Sequence, residues 1–317
     1  MDNHERIALD FMVLGAQKAG TTTLHDWLCV HPDIALPTLK ETHFFSDPEL
    51  RANGIAWYKS RFDENISGKL VGEVDPEYLF APRAPADIAS STSVQKFIIL
   101  LRHPLQRALS QYLMTARRGY EREAFDEALL LEQARLDNDT TAFAADHHSY
   151  TARSLYSDQI LRYRQQFPDA QFLFLRSDAL DESGYDRVCQ FIGVDPTVSR
   201  PDFSARSNVA STVKSPSIRD AIYAANGKSA FRRAVMRLFP TSLKRRVFLW
   251  IDGLNQRPLD VDKGDLLARV PQSVLEQVAA DLERLRTIVD VPVDDWIADI
   301  ASRLSQKRSA EAAIEPK

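Results

Sequence analysis

Apolar runs alternate with longer amphipathic stretches over the first 180 residues of the chain. Five short apolar runs predict β-strands, at residues 11–14, 33–36, 70–73, 96–101 and 171–175. Between them, apolar positions at helical spacing predict helices, at residues 22–30, 105–118, 124–137 and 154–166. This alternation is typical of an α/β fold with a central parallel sheet flanked by helices. The run KFIILL at 96–101 is apolar on both faces, as a covered central strand requires.

The pattern changes after residue 199. Residues 199–216 are rich in Ser, Asn and Pro and predict a long loop, whereas 218–253 and 263–289 predict helices. No stretch marks a clean boundary between independent domains. We therefore expect a single domain over residues 1–317, with a core at about 10–200 and a helical C-terminal region at about 216–305.

Composition narrows the class of protein. The 317 residues carry 40 Lys and Arg against 44 Asp and Glu, a net charge of −4, and 44% are hydrophobic. This composition is ordinary for a globular chain. A net charge this close to zero argues against a protein that binds nucleic acids in general, because such proteins are usually strongly basic. The two cysteines, Cys29 and Cys189, are too few for a disulfide scaffold or a Cys-rich zinc module. Because no secretory leader and no run of about 20 apolar residues occurs, we expect a cytoplasmic protein without a membrane span.

The segment FMVLGAQKAGTTT at residues 11–23 has the pattern of a phosphate-binding loop. A buried strand leads into a turn between Gly15 and Gly20, and a helix begins directly after it. The amide groups and the dipole at the start of a helix favour an anion. The glycine spacing matches a Walker A loop, but Thr21 stands where that loop has Lys, and the positive charge lies at Lys18. This displacement weakens the interpretation as a kinase or ATPase.

A second cationic site is predicted in LRHPLQRALSQY, residues 101–112. Arg102 leaves a strand, Pro104 suits the first turn of the next helix, and Ser110 lies about two turns later. A guanidinium and a hydroxyl in this arrangement can hold one phosphate. Since the strand leads into a cationic sequence rather than an acidic magnesium ligand, we expect binding without a metal. The adjacent His147 and His148 lack the spacing of a metal site as well.

The two anion motifs, in this order, resemble those of the PAPS-dependent sulfotransferases, in particular the branch of heparan-sulfate sulfotransferases and related bacterial enzymes. GAQKAGTTT is similar to the family's 5′-phosphosulfate loop, and LRHPLQRALSQY to its 3′-phosphate motif. KETHFFSD at 40–47 resembles the stretch that holds the catalytic base, and GEVDPEYL at 72–79 resembles a segment near the acceptor. The resemblance covers residues 10–200 well and implies a three-layer P-loop-like fold.

The resemblance implies that a sulfuryl group moves from PAPS, 3′-phosphoadenosine 5′-phosphosulfate, to a hydroxyl (in preference to an amine) of a glycan, lipid or small molecule. Adenosine 3′,5′-bisphosphate is the product. Donor-binding residues are assigned to both motifs and to a later loop, which together contain Lys18, Ala19, Gly20, Thr21, Thr22, Thr23, Arg102, Ser110, Arg206 and Lys214. Lys18 also stabilises charge on the departing oxygen.

On the acceptor side, the resemblance assigns Glu41 as the general base and His43 as its partner or as a group that orients the substrate. In an extended segment these two residues would face the same side. Lys40 is a candidate to neutralise the sulfuryl group. Glu73 and Tyr78 are candidate acceptor contacts. Between them the chain has Val74 and Asp75, where many family members carry Lys or Ser/Thr, and this departure affects the acceptor more than the donor.

Two alternative functions remain open, a P-loop kinase of a small molecule and a non-catalytic nucleotide-binding protein. Residues 221–251 contain no Asp or Glu, and the basic side chains lie between 228 and 246. This stretch is either a solvated helix face or a surface for peripheral contact with an acidic glycan or an anionic lipid. The sequence carries no prediction of the oligomeric state.

Overall fold

The computed structural model of the chain describes residues 6–63, 66–139, 141–204, 211–213, 256–258 and 262–314. The candidate donor-binding residues Arg206 and Lys214 lie outside the described residues. So do the basic stretch at 228–246 and the helix predicted at 218–253.

Five short strands form one sheet in which all neighbouring pairs are parallel. In chain order they are β1 (Phe11–Gly15), β2 (Ile34–Ala35), β3 (Leu70–Val74), β4 (Lys96–Leu101) and β5 (Gln171–Arg176). They lie side by side in the order β2-β3-β1-β4-β5. The whole of β1 is buried, and so is β4 beyond its first residue, because both are interior strands of the sheet. The predicted central parallel sheet is confirmed.

Helices connect and follow these strands. They are α1 (Thr21–Cys29), α2 (Pro48–Arg51), α3 (Gly54–Lys59), α4 (Ala84–Ser91), α5 (Pro104–Arg118), α6 (Phe125–Asn138), α7 (Phe143–His147), α8 (Tyr156–Gln166) and α9 (Glu182–Ile192). Near the C-terminus follow α10 (Lys263–Ala268), α11 (Gln272–Ile288) and α12 (Asp294–Ile314), which confirm the helical C-terminal region. The four helices predicted before residue 170 each lie within two residues of their predicted ends.

The chain divides into two compact units, each with its own interior. The first unit comprises Met1–Pro104, Leu155–Ser207 and Gln277–Gln306, and the second comprises Leu105–Ser154, Asn208–Glu276 and Lys307–Lys317. The first unit contains the five-stranded sheet. In the second, Arg107 of α5 is fully buried and donates hydrogen bonds to Ser154 Oγ at 2.6 Å and Gln111 Oε1 at 2.8 Å. The single domain expected over the whole chain stays a prediction.

Within the first unit, α12 and the part of α11 from Gln277 onward are tied to the carboxyl end of the sheet. Asp281 of α11 accepts the backbone N–H groups of Tyr156 and Ser157 at 2.8 and 3.1 Å, at the start of α8. Arg176, the last residue of β5, bonds Asp295 of α12 at 2.6 Å and lies 4.8 Å from the ring centre of Trp296. These contacts explain why a segment about 100 residues after β5 belongs to the same core.

Several elements differ from the sequence-based expectation. The single helix predicted at 263–289 is two helices, α10 and α11, because Pro271 between them cannot continue a helix. A strand β6 (Ser211–Val213) pairs antiparallel with β7 (Gln256–Pro258), and β6 lies inside the predicted loop at 199–216. Three residues are too few for hydrophobic periodicity to show a strand. Five helices were not predicted at all: α2, α3, α4, α7 and α9.

Gly15 allows the chain to leave β1 and enter the loop. Its φ is +150°, a conformation that residues with a side chain rarely adopt. A Cβ at this position would lie 3.0 Å from Leu79 Cβ and 3.1 Å from the carbonyl oxygen of Pro76. Since one of these neighbours is backbone, it cannot move aside without shifting the segment after β3. The tight turn therefore requires glycine here.

We expect Gly15→Ala to lower the free energy of unfolding by about 2–4 kcal/mol, from backbone strain and overpacking together. Gly68→Ala is the matched control, since Gly68 also has a positive φ (+80°) but no atom within 4 Å of an added Cβ. Its cost should be about 1–2 kcal/mol from strain alone. Urea unfolding monitored by circular dichroism measures both. If both variants lose the same free energy of unfolding, the contacts with Leu79 and Pro76 do not contribute to the cost of Gly15→Ala.

Candidate active site

The predicted donor and acceptor residues of the first unit follow four neighbouring strands. The segment 40–43 follows β2, the segment 73–78 closes and follows β3, the loop 15–23 follows β1, and Arg102 follows β4. Parallel strands bring their carboxyl ends to one edge of the sheet, and open α/β sheets bind ligands there. Three strand spacings separate β2 from β4, about 14 Å. The first unit therefore aligns the predicted groups along one edge of its sheet.

The loop between β1 and α1 is arranged to receive an anion. Gly20, just before α1, has a left-handed backbone (φ 105°). No side chain caps the start of α1, and the first turn of α1 has no acidic residue. The first N–H groups of a helix have no acceptor within it. Lys18, also left-handed at φ 71°, is half-buried in the loop. The helix start thus offers N–H groups and the loop adds one ammonium.

Arg102 is bonded to the same loop. Its Nη1 donates to the carbonyl oxygen of Lys18 at 3.0 Å, and its own carbonyl oxygen accepts the Tyr156 hydroxyl at 2.8 Å. Burial lowers the pKa of Arg102, yet a guanidinium remains charged at physiological pH. Because a guanidinium has five N–H donors, the bond to Lys18 leaves donors for a phosphate. Ser110 lies on α5 in the second unit, and its pairing with Arg102 stays a prediction.

The segment after β2 is held by its buried side chains. Thr42, Phe44 and Phe45 are buried, and the two rings pack on Tyr58 and Tyr78 with centroids 4.8 and 5.5 Å apart, respectively. These contacts hold the intervening backbone.

The extended conformation expected at Glu41 and His43 is wrong. Both residues have left-handed backbones, with φ of 63° and 54°. The carbonyl of His43 accepts the N–H groups of Ser46 and Asp47 at 3.1 and 2.8 Å, so the chain turns at this point instead of continuing straight. The two side chains are half-buried.

Glu41 and His43 have different ionic partners. The Glu41 carboxylate is paired with the ammonium of Lys40, and 28% and 15% of these two side chains are exposed. The Nδ1 atom of His43 lies 3.2 Å from Oδ2 of Asp75. The predicted base, its neighbouring lysine and the predicted histidine therefore occupy one segment, as the sequence indicated, but the histidine is paired with Asp75 rather than with Glu41.

Glu73 and Tyr78, the candidate acceptor contacts, are both fully buried. The Glu73 carboxylate accepts the hydroxyls of Thr42 and of Tyr58, the latter at 2.6 Å, and the Tyr78 hydroxyl lies 3.0 Å from Thr42 Oγ1. Burial raises the pKa of Glu73, the charge of Asp75 raises it further, and the hydrogen bonds oppose this. In these positions both residues support Thr42, and their contact with an acceptor stays a prediction.

Sequence reasoning missed the links between the donor loop and the segment after β3. Gln17 donates to Glu77 Oε1 at 2.6 Å, and the N–H of Glu77 donates to Asp75 Oδ1 at 3.0 Å. One available signal was the departure from the family pattern at Asp75. A carboxylate directly after a buried parallel strand is itself an indication of a site residue.

Neither a metal site nor a membrane span is found in the part of the chain that the structure describes. No group of three or more His, Cys, Asp or Glu side chains there is placed to hold a metal ion. His147 packs its ring on Tyr120 at 4.7 Å, and His148 Nε2 lies 2.9 Å from the Tyr120 carbonyl oxygen. No helix in the same part of the chain is long and apolar enough to cross a membrane.

The profile of the sulfotransferase domain matches residues 9–233. The chain belongs to the sulfotransferase family. Human heparan sulfate glucosamine 3-O-sulfotransferase 3B1 is 28% identical to it over 195 residues, 61% of this chain and 48% of that protein. Human heparan sulfate glucosamine 3-O-sulfotransferase 6 is 32% identical over 196 residues, 61% of this chain and 54% of that protein. This sulfotransferase chain spans about half the length of these relatives.

The fold agrees with the family. The crystal structure of a sulfotransferase from Alicyclobacillus acidocaldarius matches with a TM-score of 0.55 and 28% identity, over 75% of this chain and 99% of that one. The strand order by itself does not separate the predicted sulfotransferase from a P-loop kinase. The family assignment does, and it favours the sulfotransferase. The kinase and the non-catalytic alternatives have no support from these relatives.

We expect Glu73→Gln to gain stability relative to the unchanged protein as pH rises. Because the folded state raises the pKa of Glu73, ionisation favours the unfolded chain, and the folded protein loses stability as pH rises above the unfolded pKa of 4.5. Gln cannot ionise. Between pH 4.5 and 8 the difference in Tm should move by about 6 °C or more in favour of the variant, since each kcal/mol shifts Tm by about 2–4 °C. Glu123→Gln, at an exposed carboxylate, is the control. A pH-independent difference in Tm would contradict the expected burial of charge.

Proposed function

We propose that this sulfotransferase uses PAPS as its donor and transfers the sulfuryl group in line to a hydroxyl of a glycan, lipid or small molecule. One observation is the main support for PAPS as the donor. Two cationic residues, Lys18 and Arg102, follow the adjacent strands β1 and β4, and the Arg102 guanidinium donates to the backbone carbonyl oxygen of Lys18 at 3.0 Å. PAPS has two separated anionic groups, a 5′-phosphosulfate and a 3′-phosphate, which match two cationic groups at one sheet edge.

In this proposal the loop after β1 binds the 5′-phosphosulfate. Lys18 and the amides and hydroxyls of residues 20–23 contact its oxygens. Lys18 stabilises the negative charge that develops on the bridging oxygen as its bond to sulfur breaks. Arg102 binds the 3′-phosphate through its free donors. The family resemblance adds Ser110, Arg206 and Lys214 as further donor-binding residues.

Glu41 acts as the general base in this proposal. The acceptor oxygen bonds to sulfur while the bond from sulfur to the bridging oxygen breaks, the hydroxyl proton passes to Glu41, and adenosine 3′,5′-bisphosphate leaves. Lys40, which is paired with Glu41, is placed to compensate negative charge on the transferring group. Protein cations supply the positive charge for this step, so the proposal requires no metal.

A glycan is the acceptor class that the relatives favour. The two human relatives are named for heparan sulfate glucosamine. The family match at residues 9–233 includes both anion motifs. The chain departs from the family pattern at Val74, the last residue of β3, and at Asp75, which leaves room for a different acceptor. A mass-spectrometric screen of glycans, lipids and small hydroxyl compounds for an added sulfate tests the class directly. The cytoplasmic location stays a prediction.

We expect adenosine 3′,5′-bisphosphate to bind and raise Tm, and ATP to bind much more weakly. Arg102→Ala should weaken the binding of adenosine 3′,5′-bisphosphate by about 10–100-fold. This is the effect expected from losing hydrogen bonds to a charged group. Arg83→Ala, at an exposed arginine, should leave the affinity unchanged. Isothermal titration calorimetry measures the dissociation constants. Equal affinity of the Arg102→Ala variant and the unchanged protein would remove Arg102 from the donor site, and tighter binding of ATP would overturn PAPS as the donor.

We expect Glu41→Gln to lower kcat by about 10²–10⁴-fold, because the acceptor loses its general base. Binding of adenosine 3′,5′-bisphosphate should be unchanged, which separates loss of the base from loss of the fold. Glu123→Gln serves again as the exposed control. The assay follows label from PAPS into an acceptor found in the screen. Normal transfer by both Lys18→Ala and Glu41→Gln would show that the proposed mechanism is wrong.

A further inference from the structure

Asp75 is a fully buried carboxylate at the carboxyl end of β3. Its Oδ2 accepts the backbone N–H of His43 at 2.7 Å and lies 3.2 Å from His43 Nδ1, while its Oδ1 accepts the N–H of Glu77 at 3.0 Å. Burying a carboxylate raises the free energy of the folded state unless the group is paired and hydrogen-bonded. The cost of burying Asp75 is therefore offset chiefly through one residue, His43.

His43 is the one side chain able to carry positive charge within ion-pair distance of Asp75 in the described ranges. The other charged groups that act on its ring are carboxylates, Glu77 after β3 and Glu41 on its own segment. The ring is 39% exposed although Asp75 is fully buried, so one side of the ring faces the protein and the rest is open. Within the described residues no hydrogen bond to Nε2 is present.

We propose that Asp75 is a positioning residue that holds the His43 ring as a fixed cation, with Nδ1 turned to Asp75 and Nε2 free to donate to an oxygen of the transferring sulfuryl group. This proposal rests on the proposed sulfotransferase function and deepens it. It assigns His43 a role that Glu41 does not have, since Glu41 accepts the proton of the acceptor and His43 keeps its own. The two groups then act at opposite ends of the bond that forms.

The electrostatic surroundings agree with a cationic histidine. Burial opposes protonation of His43, but the contact of its Nδ1 with Oδ2 of Asp75 at 3.2 Å and the charges of Asp75, Glu77 and Glu41 raise its pKa to about 9. At neutral pH the ring therefore carries both protons and has no lone pair with which to act as a base. Burial raises the pKa of Asp75, and the bond and charge of His43 oppose that rise.

The position of Asp75 is also tied to the donor loop. The N–H of Asp75 donates to the carbonyl oxygen of Val13 in β1 at 3.0 Å. Glu77, bonded to Asp75 through its N–H, accepts the side-chain amide of Gln17 at 2.6 Å. A continuous set of hydrogen bonds thus runs from the donor loop through Asp75 to His43. Such links are what fixes a charged group relative to a bound donor.

Asp75→Asn tests the proposal, because Asn keeps the shape and an acceptor oxygen but removes the charge. We expect the His43 titration, followed by NMR of the ring carbons, to fall by about 1–2 pH units. We expect kcat to fall by about 10-fold, the usual size for an orienting partner. In the unchanged protein kcat should decline as pH rises through about 9, and in the variant the decline should begin at a lower pH. Binding of adenosine 3′,5′-bisphosphate should not change.

Three further variants complete the test. His43→Gln should lower kcat by about 100-fold, and the double variant with Asp75→Asn should be no worse, because Asp75 acts through His43. Asp169→Asn, at an exposed carboxylate, should change neither the titration nor kcat. If the loss of kcat in the double variant equals the product of the two single losses, Asp75 does not act through His43, and its positioning role is overturned.

The NMR titration needs no acceptor and no turnover, so its result is independent of the proposed function. A His43 midpoint near the unperturbed value of 6.5 in the unchanged protein overturns the fixed cation, even if Asp75→Asn does not fold. So does a kcat that rises between pH 7 and 9, the behaviour of a histidine base. Failure of the proposed function is a separate outcome, in which His43 titrates as expected but no sulfate reaches any acceptor from PAPS.

Discussion

The parallel pairing of β1 with β3 on one side and β4 on the other is the constraint on which the site depends. The pairing continues past the strand ends, where Asp75 donates to the Val13 carbonyl at 3.0 Å and Ala16 donates to the Leu100 carbonyl at 2.8 Å. These bonds hold the first residues after each strand, and not only the strands, in register. Since Lys18, Asp75 and Arg102 all lie within four residues of a strand end, their spacing follows from the sheet.

Charge is distributed around this edge in a definite way. The carboxylates of Glu73 and Asp75 are buried, while Lys18, Arg102 and His43 are half-buried. Buried carboxylates raise the energy of the folded state, and their hydrogen bonds to Thr42, Tyr58 and the His43 backbone offset the cost. The same hydrogen bonds hold Thr42, Tyr58 and the His43 backbone in place. Rigid charges that need no rearrangement during reaction are the most effective stabilisers of a transition state.

Much of the fold could be predicted because its signals are local. Apolar runs marked all five strands of the sheet, and the paired glycines with Lys18 marked the loop after β1. The order of the two anion motifs was enough to suggest the family. Elements with weak local signals were missed. The strand β6 is three residues long, and the break between α10 and α11 depends on a single proline.

The amino-acid sequence alone determined which residue types reach the ends of the strands, because strand periodicity and turn residues act over short distances. The tertiary structure decided how those residues pair. Asp75 contacts His43, 32 positions earlier, because β2 lies beside β3 in the sheet. Gln17 contacts Glu77, 60 positions later, because β3 lies beside β1. The left-handed backbones at Glu41 and His43 lie on either side of Thr42, which is buried against Glu73 and Tyr78. Periodicity along the chain carries no information on contacts of this range, since they exist only after the sheet has formed.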